Sequence, residues 1–173
     1  LFVLMGLLVS VSDVGKETFE VARWALRRIK GGLGVATVVA NAIFASITGS
    51  SIASAAVFTK IATPEMLRHG YTPRFSVGVV AGSSVLGMLI PPSLLLIIYG
   101  FLAEESVGRL FLAAVVPGII LAAAMSLAIV LMAIYWPSFI GGDEISDADE
   151  NIRSAAIKLF PILVLVVLVL GGI

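Results

Sequence analysis

Long apolar blocks separated by short charged segments dominate the chain. Residues 31–59, 75–100 and 107–136 each form a block long enough to cross a bilayer, which takes about 20 residues as a helix. The shorter blocks 1–12 and 157–173 are expected to be the end and the start of truncated transmembrane helices. The pattern predicts an all-α integral membrane protein.

The segment 13–30 has a different pattern, with apolar side chains at every third or fourth position. Phe19, Ala22 and Leu26 follow this spacing, and basic and acidic residues occupy the opposite side. This periodicity predicts an amphipathic helix, either in the membrane interface with Trp24 at headgroup level or packed on the helix bundle. In both cases we expect a structural role.

The block 31–59 has four small residues, 48–51, at its centre, where a spanning helix would lie deepest. Such residues favour helices poorly. One interpretation is a single helix with a small-residue packing face, and the other is a re-entrant hairpin of two half-helices.

The distribution of basic residues distinguishes these interpretations. Segments 13–31, 60–75, 101–109 and 137–158 contain five, three, one and two basic residues. If 31–59 crosses the membrane, the two sides receive six and five. If it returns to its own side, the split is ten to one, as the positive-inside rule expects, and a re-entrant hairpin is predicted.

The block 75–100 is interrupted twice, by small residues at 82–84 and by Pro91-Pro92-Ser93. Consecutive prolines lack amide donors and clash with the preceding turn, so a broken transmembrane helix with an unwound stretch is predicted. Unwound backbone at this depth is tolerated where it is buried in protein or lines a wet cavity. The block 107–136 is predicted to be a structural crossing, followed by an acidic cytoplasmic loop, 137–156.

Composition agrees with a membrane environment, since 60% of the residues are hydrophobic and 13% are charged. The formal net charge of zero disfavours a nucleic-acid partner. There is no cysteine and a single histidine, His69, and every carboxylate lies in a loop or at an end of a block. An enzymatic function is therefore not expected.

A hairpin tip beside a broken helix is a combination that builds an ion and solute site at the bilayer midplane. Neutral oxygens at such a site suit a hard monovalent cation, and helix N-termini suit a carboxylate. Gly, Ser and Thr also pack helices in lipid, so a packing role is the alternative for each single residue. The candidate donors and acceptors are Asn41, Thr48, Gly49, Ser50, Ser51, Ser54, Ser83, Ser84, Gly87 and Ser93.

Four motifs in order, at residues 44–51, 70–75, 83–93 and 106–118, carry a resemblance to a known family. The chain resembles the large permease subunit of tripartite ATP-independent periplasmic (TRAP) transporters, as part of the N-terminal half. It departs from the family pattern at Ser54, where the family commonly has Asp.

The resemblance implies one half of an inverted-repeat, elevator-type importer that uses Na⁺ as coupling ion to move small organic anions such as C4-dicarboxylates or sialic acids. It implies a multi-pass protein of the bacterial inner membrane, which works with a small four-helix membrane subunit and a periplasmic substrate-binding protein. By the same resemblance, the substrate-binding residues are Thr48, Ser50, Ser51, Pro92 and Ser93. The expected Na⁺ ligands are Asn41, Gly49, Ser50, Ser83, Ser84 and Gly87.

Two other functions remain open at this stage. One is another elevator-type anion/Na⁺ symporter of the ion-transporter superfamily. The other is a non-transporting membrane scaffold subunit that uses the small residues only for packing.

Overall fold

The computed structural model describes residues 14–26 and 29–141, and this part of the chain is helical apart from its connections and one isolated β-bridge. The predicted segments 1–12 and 157–173, and most of the loop 137–156, lie outside the described residues. In chain order the helices are α1 (Val14–Leu26), α2 (Gly32–Thr48), α3 (Ser51–Arg68), α4 (Pro73–Ser84), α5 (Leu86–Leu89), α6 (Leu94–Leu102), α7 (Val107–Tyr135) and α8 (Pro137–Ile140).

Two stretches within the described residues are long and apolar enough to cross a membrane, Pro73–Leu102 and Val107–Tyr135. The first contains α4, α5 and α6, and the second is α7. The prediction of an all-α protein with membrane-capable helices is thus confirmed at this level.

Helices α2 and α3 form an antiparallel pair joined at Gly49 and Ser50. Gly49 has φ 59°, a left-handed conformation that glycine adopts without a steric penalty, and its amide donates to the Ala45 carbonyl to close α2. The Phe44 and Phe58 rings contact each other edge to face, with centroids 5.6 Å apart. Because Phe44 precedes the joint and Phe58 follows it, this contact shows that the two helices fold back on each other. Helix α3 continues beyond Thr59 to Arg68.

The next helix is interrupted at the double proline. Helix α5 ends at Leu89, Ile90 is extended, and α6 begins only at Leu94. The Pro91-Pro92 peptide bond is cis.

Helix α7 packs against the interrupted segment. A Cβ at Gly118 would meet the Ile90 side chain at 3.1 Å, and one at Gly82 would meet Met125 at 3.0 Å. Beyond the C-terminal end of α7, the Thr72 hydroxyl donates to the carbonyl of Phe139 in α8 (2.7 Å). Close packing at the two glycines therefore holds the segment from α4 through α6 beside α7, and the hydrogen bond joins the start of α4 to α8.

Helix α1 packs mainly against α2 and also contacts α3. Its buried face contains Gly15, where a Cβ would meet Val57 Cγ1 at 2.7 Å. Two turns later, Arg23 pairs with Glu65. Because the sequence separation is the same in both contacts, α1 runs parallel to α3 over this length.

Candidate functional site

The joint of the hairpin, Gly49 and Ser50, lies directly against the interrupted helix. A Cβ on Gly87 would be 2.9 Å from the Ser51 backbone nitrogen and 3.0 Å from the Ser50 carbonyl carbon. No side chain larger than hydrogen fits between these two backbones without displacing one of them. Gly87 therefore brings α5 into backbone contact with the start of α3.

A hydrogen bond also connects the two elements. The Leu94 amide, at the start of α6, donates to the Gly49 carbonyl at 3.4 Å. The N-termini of α3 and α6 consequently belong to one region, which we call the tip–break site: Gly49, Ser50, Ser51, Gly87 and residues 91–94. Helix N-termini carry amides without intrahelical partners and the positive end of the helix dipole.

Hydroxyl groups of the tip–break site bond mainly to nearby backbone. Thr48 Oγ1 donates to the Phe44 carbonyl (3.0 Å), and Ser50 Oγ accepts from the Ala53 amide (3.3 Å) as the N-cap of α3. The buried Ser93 donates to the Met88 carbonyl (2.6 Å), across the break. These contacts orient the hydroxyl oxygens and leave each one with further lone pairs to accept or coordinate.

A second polar contact, the Asn41–Ser83 pair, lies further from the tip along α2. Both residues are fully buried, and Asn41 Nδ2 donates to Ser83 Oγ at 2.5 Å. Within the described part of the chain, Asn41 Oδ1 has no hydrogen-bond partner although it is buried. A buried amide oxygen without a donor is costly, and it is a suitable ligand for a cation such as Na⁺.

The predicted site residues thus fall into two groups. Thr48, Gly49, Ser50, Ser51, Gly87, Pro92 and Ser93 lie at the hairpin tip or at the break that meets it, and Asn41 and Ser83 form a separate buried pair further from the tip. Asn41 precedes Gly49 by roughly 12 Å of helix, at 1.5 Å per residue. Ser84 donates to its own helix at the Ala81 carbonyl (2.8 Å).

One feature of the site is not a predicted side chain, and one predicted candidate has no hydrogen-bond partner among the described residues. The Leu94 amide is a backbone group of an apolar residue, so residue type gives no signal for it. Ser54, one turn into α3, is fully buried, and its hydroxyl has no partner among the described residues. Ser54 is one of the candidate donors and acceptors named from the sequence.

Nothing in the described residues suggests a transition-metal centre, because they contain no group of three or more His, Cys, Asp or Glu side chains that could hold a metal ion. The polar atoms at both groups are neutral hydroxyl, amide and backbone oxygens. Such a donor set fits a hard monovalent cation and an anion held by amides.

Comparison with known proteins gives a family match over the entire chain. The family described as "Tripartite ATP-independent periplasmic transporter, DctM component" matches residues 1–173. The C4-dicarboxylate TRAP transporter large permease protein DctM of Pseudomonas aeruginosa is 38% identical over 132 residues, which is 76% of this chain and 31% of that protein.

Two proteins of Vibrio cholerae are also similar. Its C4-dicarboxylate TRAP transporter large permease protein DctM is 34% identical, covering 99% of this chain and 37% of the relative. Its sialic acid TRAP transporter large permease protein SiaM is 33% identical, covering 72% of this chain and 29% of the relative. The chain therefore spans about a third of the length of the curated relatives that it matches.

Proposed function

We propose a transport function for this chain, which belongs to the DctM component family of tripartite ATP-independent periplasmic (TRAP) transporters. The family is one of membrane permeases, and the two apolar stretches of the chain agree with this. In our proposal the chain is part of a permease that imports small organic anions, driven by a Na⁺ gradient. The relatives are named for C4-dicarboxylate and sialic acid.

The observation that carries the proposal is the backbone contact between the hairpin tip and the broken helix. Gly87 lies against Ser50 and Ser51, and Leu94 donates to Gly49. The N-termini of α3 and α6 therefore lie in the same region, where the helix dipoles and the free amides favour a carboxylate. Thr48, Ser50, Ser51, Pro92 and Ser93 are proposed to form this chain's share of the substrate site.

The proposed Na⁺ ligands come from the same two elements. Asn41 Oδ1 is buried without a partner, and its amide is oriented by the hydrogen bond to Ser83. At the tip, the Gly49 carbonyl and the Ser50 hydroxyl are available oxygens, and Gly87 lets the backbones approach. Ser84 is a further proposed ligand, although its hydroxyl donates to a carbonyl of its own helix.

The proposed membrane placement makes α2 and α3 a re-entrant hairpin with its tip near the midplane. At about 1.5 Å per residue, the 17 residues of α2 extend roughly 25 Å, so a tilted arm reaches the middle of a 30 Å core. We propose that hairpin and broken helix move together in an elevator mechanism. The proposed partners are a small four-helix membrane subunit and a periplasmic substrate-binding protein, in the bacterial inner membrane.

The test compares two matched serine substitutions on α4 in the full-length permease that contains this chain. Ser83→Ala removes the acceptor of Asn41, whereas Ser76→Ala removes an equally buried hydroxyl that bonds only to the Thr72 carbonyl (3.0 Å). Uptake of a C4-dicarboxylate or sialic acid is measured in proteoliposomes with the partner subunits, as a function of Na⁺ concentration.

We expect Ser83→Ala to raise the Na⁺ concentration for half-maximal uptake about tenfold, because losing one orienting hydrogen bond costs about 1 kcal/mol or slightly more. Ser76→Ala should leave this value within about twofold. Equal uptake in Na⁺ and K⁺ gradients by the unsubstituted protein would refute the coupling, and identical Na⁺ dependence in both variants would refute the role of the Asn41–Ser83 pair.

A further inference from the structure

A polar cleft of about 540 Å³ lies between α1 and the C-terminal half of α3, away from the tip–break site. Its charged lining consists of four basic and two acidic side chains, so the cleft has two positive charges in excess. These residues are Lys16, Arg23, Lys60, Arg68, Glu20 and Glu65. Phe19, Ile61 and Pro64 add an apolar part to the wall.

Two of the basic side chains already lie against a carboxylate of the cleft. Arg23 contacts Glu65, and Arg68 Nη1 lies 3.7 Å from the same carboxylate. Lys16 and Lys60 are both exposed, and within the described residues neither has an ion pair with a carboxylate. Arg23 and Arg68 share the one carboxylate of Glu65, so Lys16 and Lys60 are the exposed cations of the cleft that are available to an added anion.

The position of Lys60 along the hairpin sets the depth of the cleft, an argument that rests on the re-entrant placement proposed above. Lys60 follows the tip by about ten residues, or roughly 15 Å of helix. With the tip at the midplane, this is half the thickness of a 30 Å hydrocarbon core. The Lys60 backbone then lies at the edge of the hydrocarbon core, and its long side chain can extend outward to the lipid phosphates, with the apolar wall of the cleft beside it.

We propose that this cleft binds the headgroup of an anionic phospholipid, with Lys16 and Lys60 as the cationic partners of its phosphate. The apolar residues of the wall receive the glycerol and the first methylenes of the acyl chains. Basic pockets between helices at the cytoplasmic surface are suited to such headgroups. Each lysine near the membrane surface raises the affinity for an anionic lipid about fivefold. The bound lipid would join α1 to the outer end of the hairpin, beside the Arg23–Glu65 pair.

The experiment uses the full-length permease in a neutral detergent, without Na⁺ or substrate, so that its result does not depend on transport. Phosphatidylglycerol or phosphatidylcholine is titrated in, and bound lipid is counted by native mass spectrometry. The test variant is Lys16→Gln with Lys60→Gln. The control is Lys30→Gln with Arg74→Gln, which removes the same charge from two exposed residues outside the cleft.

We expect the test variant to bind phosphatidylglycerol about 30-fold more weakly than the parent, because two lysines near an anionic lipid surface usually contribute this much affinity. Its affinity for phosphatidylcholine should not change. The control should retain the affinity of the parent within about threefold. Thermal unfolding in phosphatidylcholine checks that the variants are folded. Lys60→Gln alone, with about a fivefold loss, replaces the double variant if that one does not fold.

Three results would overturn the proposal. The first is equal affinity of test variant and parent for phosphatidylglycerol, and the second is an equal loss in the control, which would indicate general surface charge. The third is full displacement of the lipid by millimolar inorganic phosphate, which would indicate a site for the free anion. A failure of Na⁺-driven uptake with intact lipid binding would instead concern only the transport proposal.

Discussion

Glycine determines the closest contacts at the candidate site. Gly49 has a left-handed backbone that lets α2 end and α3 begin within two residues, and Gly87 allows α5 to touch the start of α3. These roles differ, because the first concerns the conformation of glycine and the second its lack of a Cβ. Neither glycine has a side chain that could contact a ligand. The positions of Ser50 and Ser51 nevertheless depend on both glycines.

At Gly87 we predict that substitution by alanine separates the tip from the break. The new Cβ would lie about 3 Å from the Ser50 and Ser51 backbone, which cannot rotate away as a side chain can. Overpacking of this kind costs about 1 to 3 kcal/mol, so Gly87→Ala should lower the thermal unfolding temperature of the full permease and abolish most uptake.

Gly78 provides a matched control on α4. A Cβ there meets nothing within 4 Å, so Gly78→Ala should keep uptake and leave stability unchanged or raise it by about 0.5 to 1 kcal/mol. If Gly87→Ala behaves as Gly78→Ala does, the close approach of α5 to the tip has no functional role.

Helix α1 contacts α3, although the two helices are far apart in the sequence. The charged side of α1 is not fully solvated, because Arg23 and Glu65 are only 22% and 21% exposed in their contact. Arg68 Nη1, on the same helix as Glu65, also lies 3.7 Å from Glu65 Oε2. One carboxylate therefore receives positive groups both from α1 and from its own helix, and it anchors the outer end of the hairpin.

For this pair we predict that Arg23→Glu destabilises the permease by about 1 to 2 kcal/mol, since two carboxylates would then meet at a half-buried position. Adding Glu65→Arg should recover only part of the loss, because the new arginine would lie close to Arg68. Thermal unfolding measures both variants. Arg109→Glu, at an exposed residue outside this contact, should have little effect, and a loss there as large as in Arg23→Glu would contradict the prediction.

At the scale of the molecule, the exposed surface of α6 and α7 is unusually apolar. Phe101 is 84% exposed and Leu112 76%, and the exposed apolar residues continue along α7 to Tyr135. Such a surface is stable against lipid or other apolar protein, not against water. This agrees with the membrane-permease family to which the chain belongs.

The proposed membrane placement predicts which residues face the same side of the membrane. Single cysteines in the full-length permease at Lys30 and Lys60 should react with an impermeant thiol reagent from the cytoplasmic side, and one at Glu104 from the opposite side. Any native cysteines of the full protein would be replaced first. Labelling of Lys30 and Lys60 positions from opposite sides would mean that 31–59 spans the membrane, which would contradict the re-entrant hairpin.

The sequence alone predicted the features that depend on neighbouring residues. Apolar block length predicted membrane-capable helices, because a bilayer requires about 20 residues per crossing. The double proline predicted the interruption after Leu89, because proline removes amide donors wherever it occurs. The small residues at 48–51 likewise predicted where α2 and α3 would meet.

Only the tertiary structure decided which distant groups come together. The Leu94 amide bonds to Gly49, Asn41 bonds to Ser83, and Arg23 pairs with Glu65. Each contact joins residues about 42 to 45 positions apart in the chain, and no local periodicity specifies such pairs. They depend on how helices pack against one another, which is determined by the shapes of whole faces and by glycines such as Gly87 that let two backbones meet.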